Sequence, residues 1–240
     1  NEAEWKKMLI VFATANGKIR KNSLEDFINI QANGKIAMKL EQSDKIVGVK
    51  ICNDKEDVVL ATSHGKVIRF MSKKLRVFKG RSSKGVRGMK LLNNDHVISL
   101  SIVDGFDEKS NEIKNLVKNG HADKDKINLI KSKQKFIFSI SENGYGKRTS
   151  YYEYRVTNNG GKGITGIKNS KRNGSIAATF PVDETNDVII STNKGRNIGI
   201  SMKDIRSIKR DTQGVRLCKV HGDEKVVSAV KLEDNIKSNW

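Results

Sequence analysis

The sequence predicts an all-β chain of small repeated sheets, of the β-propeller class. Three observations predict it. Two sets of glycines recur along the chain with the same spacing. Short apolar–polar alternating runs, the pattern of half-buried strands, lie between tight-turn residues. The composition, 36% hydrophobic and 6% aromatic, suits many thin clusters better than one thick core. One proline in 240 residues and no low-complexity tract argue against a disordered chain.

The first set of repeats reads VFATANGKIRK (11–21), VLATSHGKVIRF (59–70), IFSISENGYGKRT (137–149) and VIISTNKGRNIGI (188–200). Each is a β-branched run, a polar pair ending in glycine, then basic residues. The turn glycines are Gly17, Gly65, Gly144 and Gly195, spaced 48, 79 and 51. Asn16-Gly17 and Asn143-Gly144 are hairpin-turn dipeptides. The second set comprises residues 34–51, 85–102, 163–180 and 214–230, led by Gly34, Gly85, Gly163 and Gly214 with spacings of 51, 78 and 51. Polar pairs within it (Ser43-Asp44, Asn94-Asp95, Asn173-Gly174, Gly222-Asp223) predict further tight turns. An insertion of about 28 residues explains the one long gap, so the period is near 50.

Two hairpins per period give a four-stranded blade. Along the chain this predicts a half blade at 8–27 and full blades at 34–78, 85–156 and 163–208. A second half blade at 214–232 follows, all within one domain of about four blades. The insertion, 105–134, is charged with both signs and predicts a mobile excursion with one short helix around Ile113–Val117.

The charge is the loudest functional signal. Lys plus Arg number 46 against 27 Asp plus Glu, a formal +19 with a pI near 9.9. Such self-repulsion points to a polyanionic partner. Cys52 and Cys218 lie far apart in apolar runs and predict buried free thiols in a reduced cytoplasm. No CxxC pair and no His/Cys metal spacing occurs, so no metal or other cofactor is predicted. No apolar run approaches the ~20 residues of a membrane span. No GxSxG, HExxH or phosphate-loop motif occurs, and the acids fall mainly in turns, so neither catalysis nor a small-molecule substrate is predicted.

Glu142-Asn143 followed by GYGKRT (144–149) resembles a signature stretch of the C-terminal domain of the bacterial DNA gyrase A subunit, within the type IIA topoisomerase family. ATANGKIRK (13–21), GKIAMKL (34–40), GKVIRF (65–70), GVRGMKL (85–91) and TQGVRL (212–217) carry the same resemblance, which runs from about Val11 to Leu232. It implies a β-pinwheel of Greek-key blades that bends duplex DNA around a basic outer rim. It also implies partnership with the gyrase B subunit, with the rest of the gyrase A subunit, in the bacterial cytoplasm at the nucleoid. The family's seven-residue box is not intact: Asn158-Asn159-Gly160-Gly161-Lys162-Gly163 resembles only its second half, and the box is expected upstream of residue 1. The breakage-reunion tyrosine region is also absent, so this chain is expected to bind DNA but neither cut nor supercoil it. The C-terminal domain of a topoisomerase IV A subunit shares the architecture and is one alternative; a propeller scaffold for protein partners is another.

Wrapping needs cations along a curve and little base reading. The candidates after the turn glycines are Lys18, Arg20, Lys21, Lys66, Arg69, Lys147, Arg148 and Arg196. Those in the connections are Lys73, Lys74, Arg76, Lys79, Arg81, Lys84, Arg87, Arg155, Lys162, Arg206, Lys209 and Arg210. Lys168, Lys171, Arg172 and Arg216 lie in the second set of repeats. The run Gly160–Gly163 is also a candidate anion nest of backbone amides.

Overall fold

The computed structural model describes residues 2–28, 30–105 and 135–232. The expectations for the insertion fall outside the described residues. A helical turn, Glu2–Trp5, precedes the first strand. Contacts gather the chain into two compact units, Asn1–Gly105 with Val156–Ile164, and Phe106–Arg155 with Thr165–Trp240. The sequence pattern predicts a single domain.

In the first unit the apolar run after the helical turn forms β1 (Leu9–Thr14), and the Asn16-Gly17 turn returns it as β2 (Lys18–Ser23). Next come β3 (Ile46–Cys52), then β4 (Glu56–Thr62) and β5 (Lys66–Met71), with the His64-Gly65 turn between the last two. Two short strands, β6 (Val77–Phe78) and β7 (Val86–Arg87), precede β8 (Val97–Asp104). In the second unit β9 (Phe136–Ser141) and β10 (Tyr145–Ser150) form the next hairpin. The short β11 (Val156–Thr157) belongs to the first unit again and pairs with β5, as does β12 (Ile164–Thr165). Then come β13 (Ile176–Val182), β14 (Asp187–Thr192), β15 (Asn197–Ser201), β16 (Val215–Arg216) and β17 (Val226–Lys231). The turn glycines have φ of 77, 77, 78 and 78°, the left-handed value the hairpins need. At Gly144 a Cβ would also collide with the Cys218 carbonyl oxygen.

These strands make four sheets, each built on one tight hairpin. The first has the order β3-β1-β2-β6, with β7 also on β2; the second β11-β5-β4-β8, with β12 also on β5. The third is β13-β9-β10-β16 and the fourth β15-β14-β17. The hairpins fall where the sequence places them, but the blade boundaries do not. Residues 34–51 do not form the hairpin that their pattern predicts; they contribute only β3, which pairs with the preceding β1. Residues 85–102 send β7 back to β2 and β8 to β4. The 8–27 hairpin is therefore completed by β3 and is not half a blade, and 214–232 divides between β10 and β14.

The reason lies in the intervening turns. Asn94 (φ 60°), Gly174 (φ 72°) and Gly222 (φ 57°) reverse the chain between strands of different sheets, and Ser43 (φ 65°) turns it into β3. Two of these turns are tied to the hairpin tip beside them through an aspartate. Asp95 Oδ1 accepts from the His64 amide at 3.0 Å and from Ser63 Oγ at 2.9 Å. Asp44 Oδ1 accepts from the Asn16 amide at 3.0 Å. An alternating pattern announces strands and turns, not which strands pair.

Each unit has its own core. Leu60, Ile68 and Phe70 sit in the first with Val11, Ile19 and Val97; Phe138, Ile140, Val188 and Ile190 anchor the second. Burying one such side chain contributes about 1.5–3 kcal/mol. Cys52 and Cys218 are buried free thiols, and burial pushes both their pKa values up. Among the described residues no helix is long and apolar enough to cross a membrane, and no group of three or more His, Cys, Asp or Glu could hold a metal ion.

Candidate nucleic-acid interface

In the first three sheets the second hairpin strand carries the cations singled out from the sequence, but its middle is covered on both faces, whereas β15 of the fourth is exposed to half-buried along its length. Arg20, Lys21, Arg69, Lys147 and Arg148 are between 1% and 6% exposed. The sequence pattern assigns them to DNA; in the structure they hold the protein together. The third residue after the turn glycine is Arg20 in the first sheet. Its guanidinium donates to the carbonyl oxygens of Arg81 (2.6 Å), Ser83 (2.8 Å) and Gly80, and Nε donates to Asn22 Oδ1 (2.7 Å). In the third sheet that place belongs to Lys147, whose ammonium donates to the carbonyls of Lys209 (2.7 Å) and Arg210 and to Thr212 Oγ1 (3.3 Å).

The fourth residue faces acids and strand ends instead. Lys21 donates to Ser72 O (2.7 Å) and Asp54 Oδ1 (3.1 Å). Arg69 donates to Asp57 Oδ2 (2.8 Å) and Asp104 O (3.0 Å). Arg148 donates to Glu184 Oε1 (2.8 Å) and Ile205 O and lies 4.5 Å from the Phe136 ring centroid. A strand with both faces covered buries successive residues, so outward alternation fails here. The missed signal was the charge leading into apolar runs: Asp57 is the second residue of β4, directly before the run Val58–Thr62.

Burial pushes the Lys147 ammonium down to about 8 from 10.5, against the opposing pull of Glu153 and Asp211. Between those two values the unfolded chain binds the proton that the folded chain has released. This group's contribution to stability therefore rises with pH across that window. An NMR titration of the Lys147 side chain is expected to give a midpoint near 8.

Many of the exposed candidate cations lie in the connecting segments that run along the outer edge of the second hairpin strand. The reason is local. Leu75, Tyr154 and Ile205 are buried anchors, 2–4% exposed, at equivalent places after a short 3-10 turn. The residue after each anchor is turned to solvent: Arg76, Arg155 and Arg206, all exposed. Arg76 also stacks on Phe78, 5.3 Å from its centroid. Lys73 and Lys74 are exposed in the 3-10 turn before it, and the segment along the edge of β2 adds exposed Lys79, Lys84 and Arg87 and half-buried Arg81. The sixteen residues Ser72–Arg87 contain no Asp or Glu. Residues 155–168, which include the short strands β11 and β12, are likewise free of acids and expose Arg155, Lys162 and Lys168. The edge of β10 exposes Arg206, Lys209 and Arg216, with Arg210 half-buried and donating to Thr165 O at 3.0 Å.

Other candidates are engaged within the protein. Lys18 pairs with Glu41 at 3.8 Å and Arg196 with Glu224 at 3.0 Å, while the exposed Lys84 makes only a surface pair with the same Glu41, at 3.6 Å. Arg172 and Arg216 both lie over the Tyr145 ring, at 4.7 and 5.3 Å, and hydrogen bonding to them lowers the tyrosine pKa. Lys66 is half-buried and Lys171 exposed. The run Gly160–Gly163 commits its first amide to Gly88 O at 2.7 Å, which removes that donor from the expected anion nest. Sequence reasoning missed Lys203 and Lys90, both exposed. Lys203 is the counterpart of Lys73 in the equivalent 3-10 turn of the fourth sheet, so the repeat itself could have found it.

The profile of the family described as DNA gyrase C-terminal domain, beta-propeller, matches residues 9–53, 56–104, 135–183 and 186–233. Each matched span holds the three long strands of one sheet. The DNA gyrase A subunit of Rickettsia prowazekii is 38% identical over 258 residues, covering 99% of this chain and 28% of that protein. The DNA gyrase A subunit of Staphylococcus epidermidis is 35% identical over 221 residues, covering 92% of this chain and 22% of that protein. The chain thus spans under a third of the length of these relatives. Among solved structures, a DNA gyrase A C-terminal domain superimposes with a TM-score of 0.74 at 22% identity, covering 95% of this chain and 67% of that one. The C-terminal domain of a DNA topoisomerase IV does so with a TM-score of 0.77 at 19% identity, covering 95% and 62%.

Proposed function

We infer the function from one premise: the chain belongs to the DNA gyrase C-terminal domain family. It binds duplex DNA without base specificity and bends it, as an accessory domain of a DNA topoisomerase. The gyrase B subunit, with the remaining parts of the A subunit, is its partner in a bacterial cytoplasm. The observation that carries this reading is the recurrence of acid-free basic segments along equivalent sheet edges, at Ser72–Arg87 and at 155–168. Phosphate contacts of this kind supply affinity through counterion release. They must offset a bending cost on the order of 1–6 kcal/mol for 20–30 base pairs. Many distributed cations do so better than one strong site.

Relatives at 35–38% identity are gyrase A subunits, which favours a gyrase over a topoisomerase IV context. A protein-binding scaffold fits poorly with a net charge of +19. The deciding experiment is ligation of nicked circular DNA in the presence of the chain, followed by topoisomer analysis. A shift in linking number is expected. Retention of DNA with an unchanged topoisomer distribution would remove wrapping and leave charge attraction alone.

A further inference from the structure

Arg20 and Lys147 occupy the same place in two sheets, three residues after the hairpin glycine, and both are 1% exposed. Each gathers carbonyl oxygens from the connecting segment that runs over its strand. For Arg20 these belong to Gly80, Arg81 and Ser83; for Lys147, to Lys209 and Arg210. The exposed cations of the segment sit at these carbonyls: Lys79 and Lys84 flank them in one, and Lys209 carries one of them itself in the other.

We propose that Arg20 and Lys147 are positioning residues for DNA binding: each holds the backbone of a connecting loop so that the loop's exposed lysines stay in one arrangement for phosphate. This rests on the DNA-binding reading above. A loop left free would have to be ordered by the DNA itself, at a cost in conformational entropy. A buried cation under converging carbonyls does that ordering during folding.

The second sheet supports the assignment by solving the problem differently. There the third residue is Ile68, and its Cδ1 lies 3.6 Å from where a Cβ on Gly161 would stand. That loop is fastened from the side. Gly160 N donates to Gly88 O (2.7 Å), Lys90 N to Gly161 O (2.8 Å) and Asn159 Nδ2 to Arg87 O (2.9 Å). Where the cation is absent, other bonds hold the corresponding loop.

The test uses the whole chain with duplex DNA of random sequence. Arg20→Met is expected to weaken binding about fivefold near 0.15 M salt and to flatten the salt dependence by roughly one unit of log-log slope. In a Lys79→Ala/Lys84→Ala background it is expected to add less than about a 1.5-fold loss, because the cations it positions are gone. Arg20→Lys, which places the third sheet's own solution in the first, should restore at least about half of the lost affinity. Hydrogen exchange supplies a readout independent of DNA. Amides of residues 79–84 should exchange roughly tenfold faster in Arg20→Met, while those of β1 and β3 stay unchanged. Equal losses in both backgrounds, or loop amides no faster than in the parent, would overturn the proposal. If the parent chain itself shows no salt-dependent duplex binding, the DNA reading fails, and the exchange data still judge whether Arg20 orders the loop. Lys147→Met, read at residues 209–212, gives the same test in the other unit should Arg20→Met not fold.

Discussion

Replacing Asp57 with alanine is expected to destabilise the first unit by about 3–5 kcal/mol, measured by urea unfolding. The carboxylate and the Arg69 guanidinium meet at 2.8 Å, with side chains 2% and 1% exposed. They sit diagonally across the β4–β5 ladder, where Asp57 faces Met71 and Arg69 faces Val59. Arg69 cannot neutralise itself by losing a proton, so the substitution leaves a buried charge without the Asp57 carboxylate. Asp57→Asn keeps the shape and a hydrogen-bond acceptor and is expected to cost less. A loss below about 1 kcal/mol for the alanine variant would mean that water reaches the pair and that it behaves as a surface salt bridge.

Simultaneous replacement of Arg76, Arg155 and Arg206 by alanine is expected to weaken duplex binding on the order of a hundredfold near 0.15 M salt. The log-log salt slope should fall by about 2–3 units. The three stand at equivalent places, each after a buried anchor, and none lies in a core. Stability should therefore change by less than about 0.5 kcal/mol per site. The control removes the same charge elsewhere: Lys45, Lys50 and Lys55, all exposed, lie on β3 or in its flanking turns. If binding answers to net charge alone, both triple variants will lose the same affinity. If the sheet edges carry it, the control will lose less than about one unit of slope.

Much of the architecture was legible because glycine geometry writes itself into sequence. Gly17, Gly65, Gly144 and Gly195 marked four hairpins, and each sits at positive φ with antiparallel strands on either side. The exchange of strands was not legible. Val97–Asp104 alternates in the same way whether its partner is its own predecessor or β4. The interface was half legible. Basic residues in the connections, such as Arg76 and Lys209, are exposed as their loop setting implies. Those within the hairpins, such as Arg20 and Lys147, are not, because a second layer of chain covers them and supplies carbonyls that no one-dimensional pattern announces.

The order of synthesis gives the strand exchange a further meaning. β2 ends at Ser23, yet its free edge is sealed only when Val77–Phe78 and then Val86–Arg87 have left the ribosome. At about 5–20 residues per second that is a wait on the order of several seconds. Throughout it the nascent hairpin offers unpaired amides and carbonyls to any neighbouring polypeptide. Arg20 and Lys21, later hidden, then stand on the open margin as like charges, which disfavours edge-to-edge association between nascent chains.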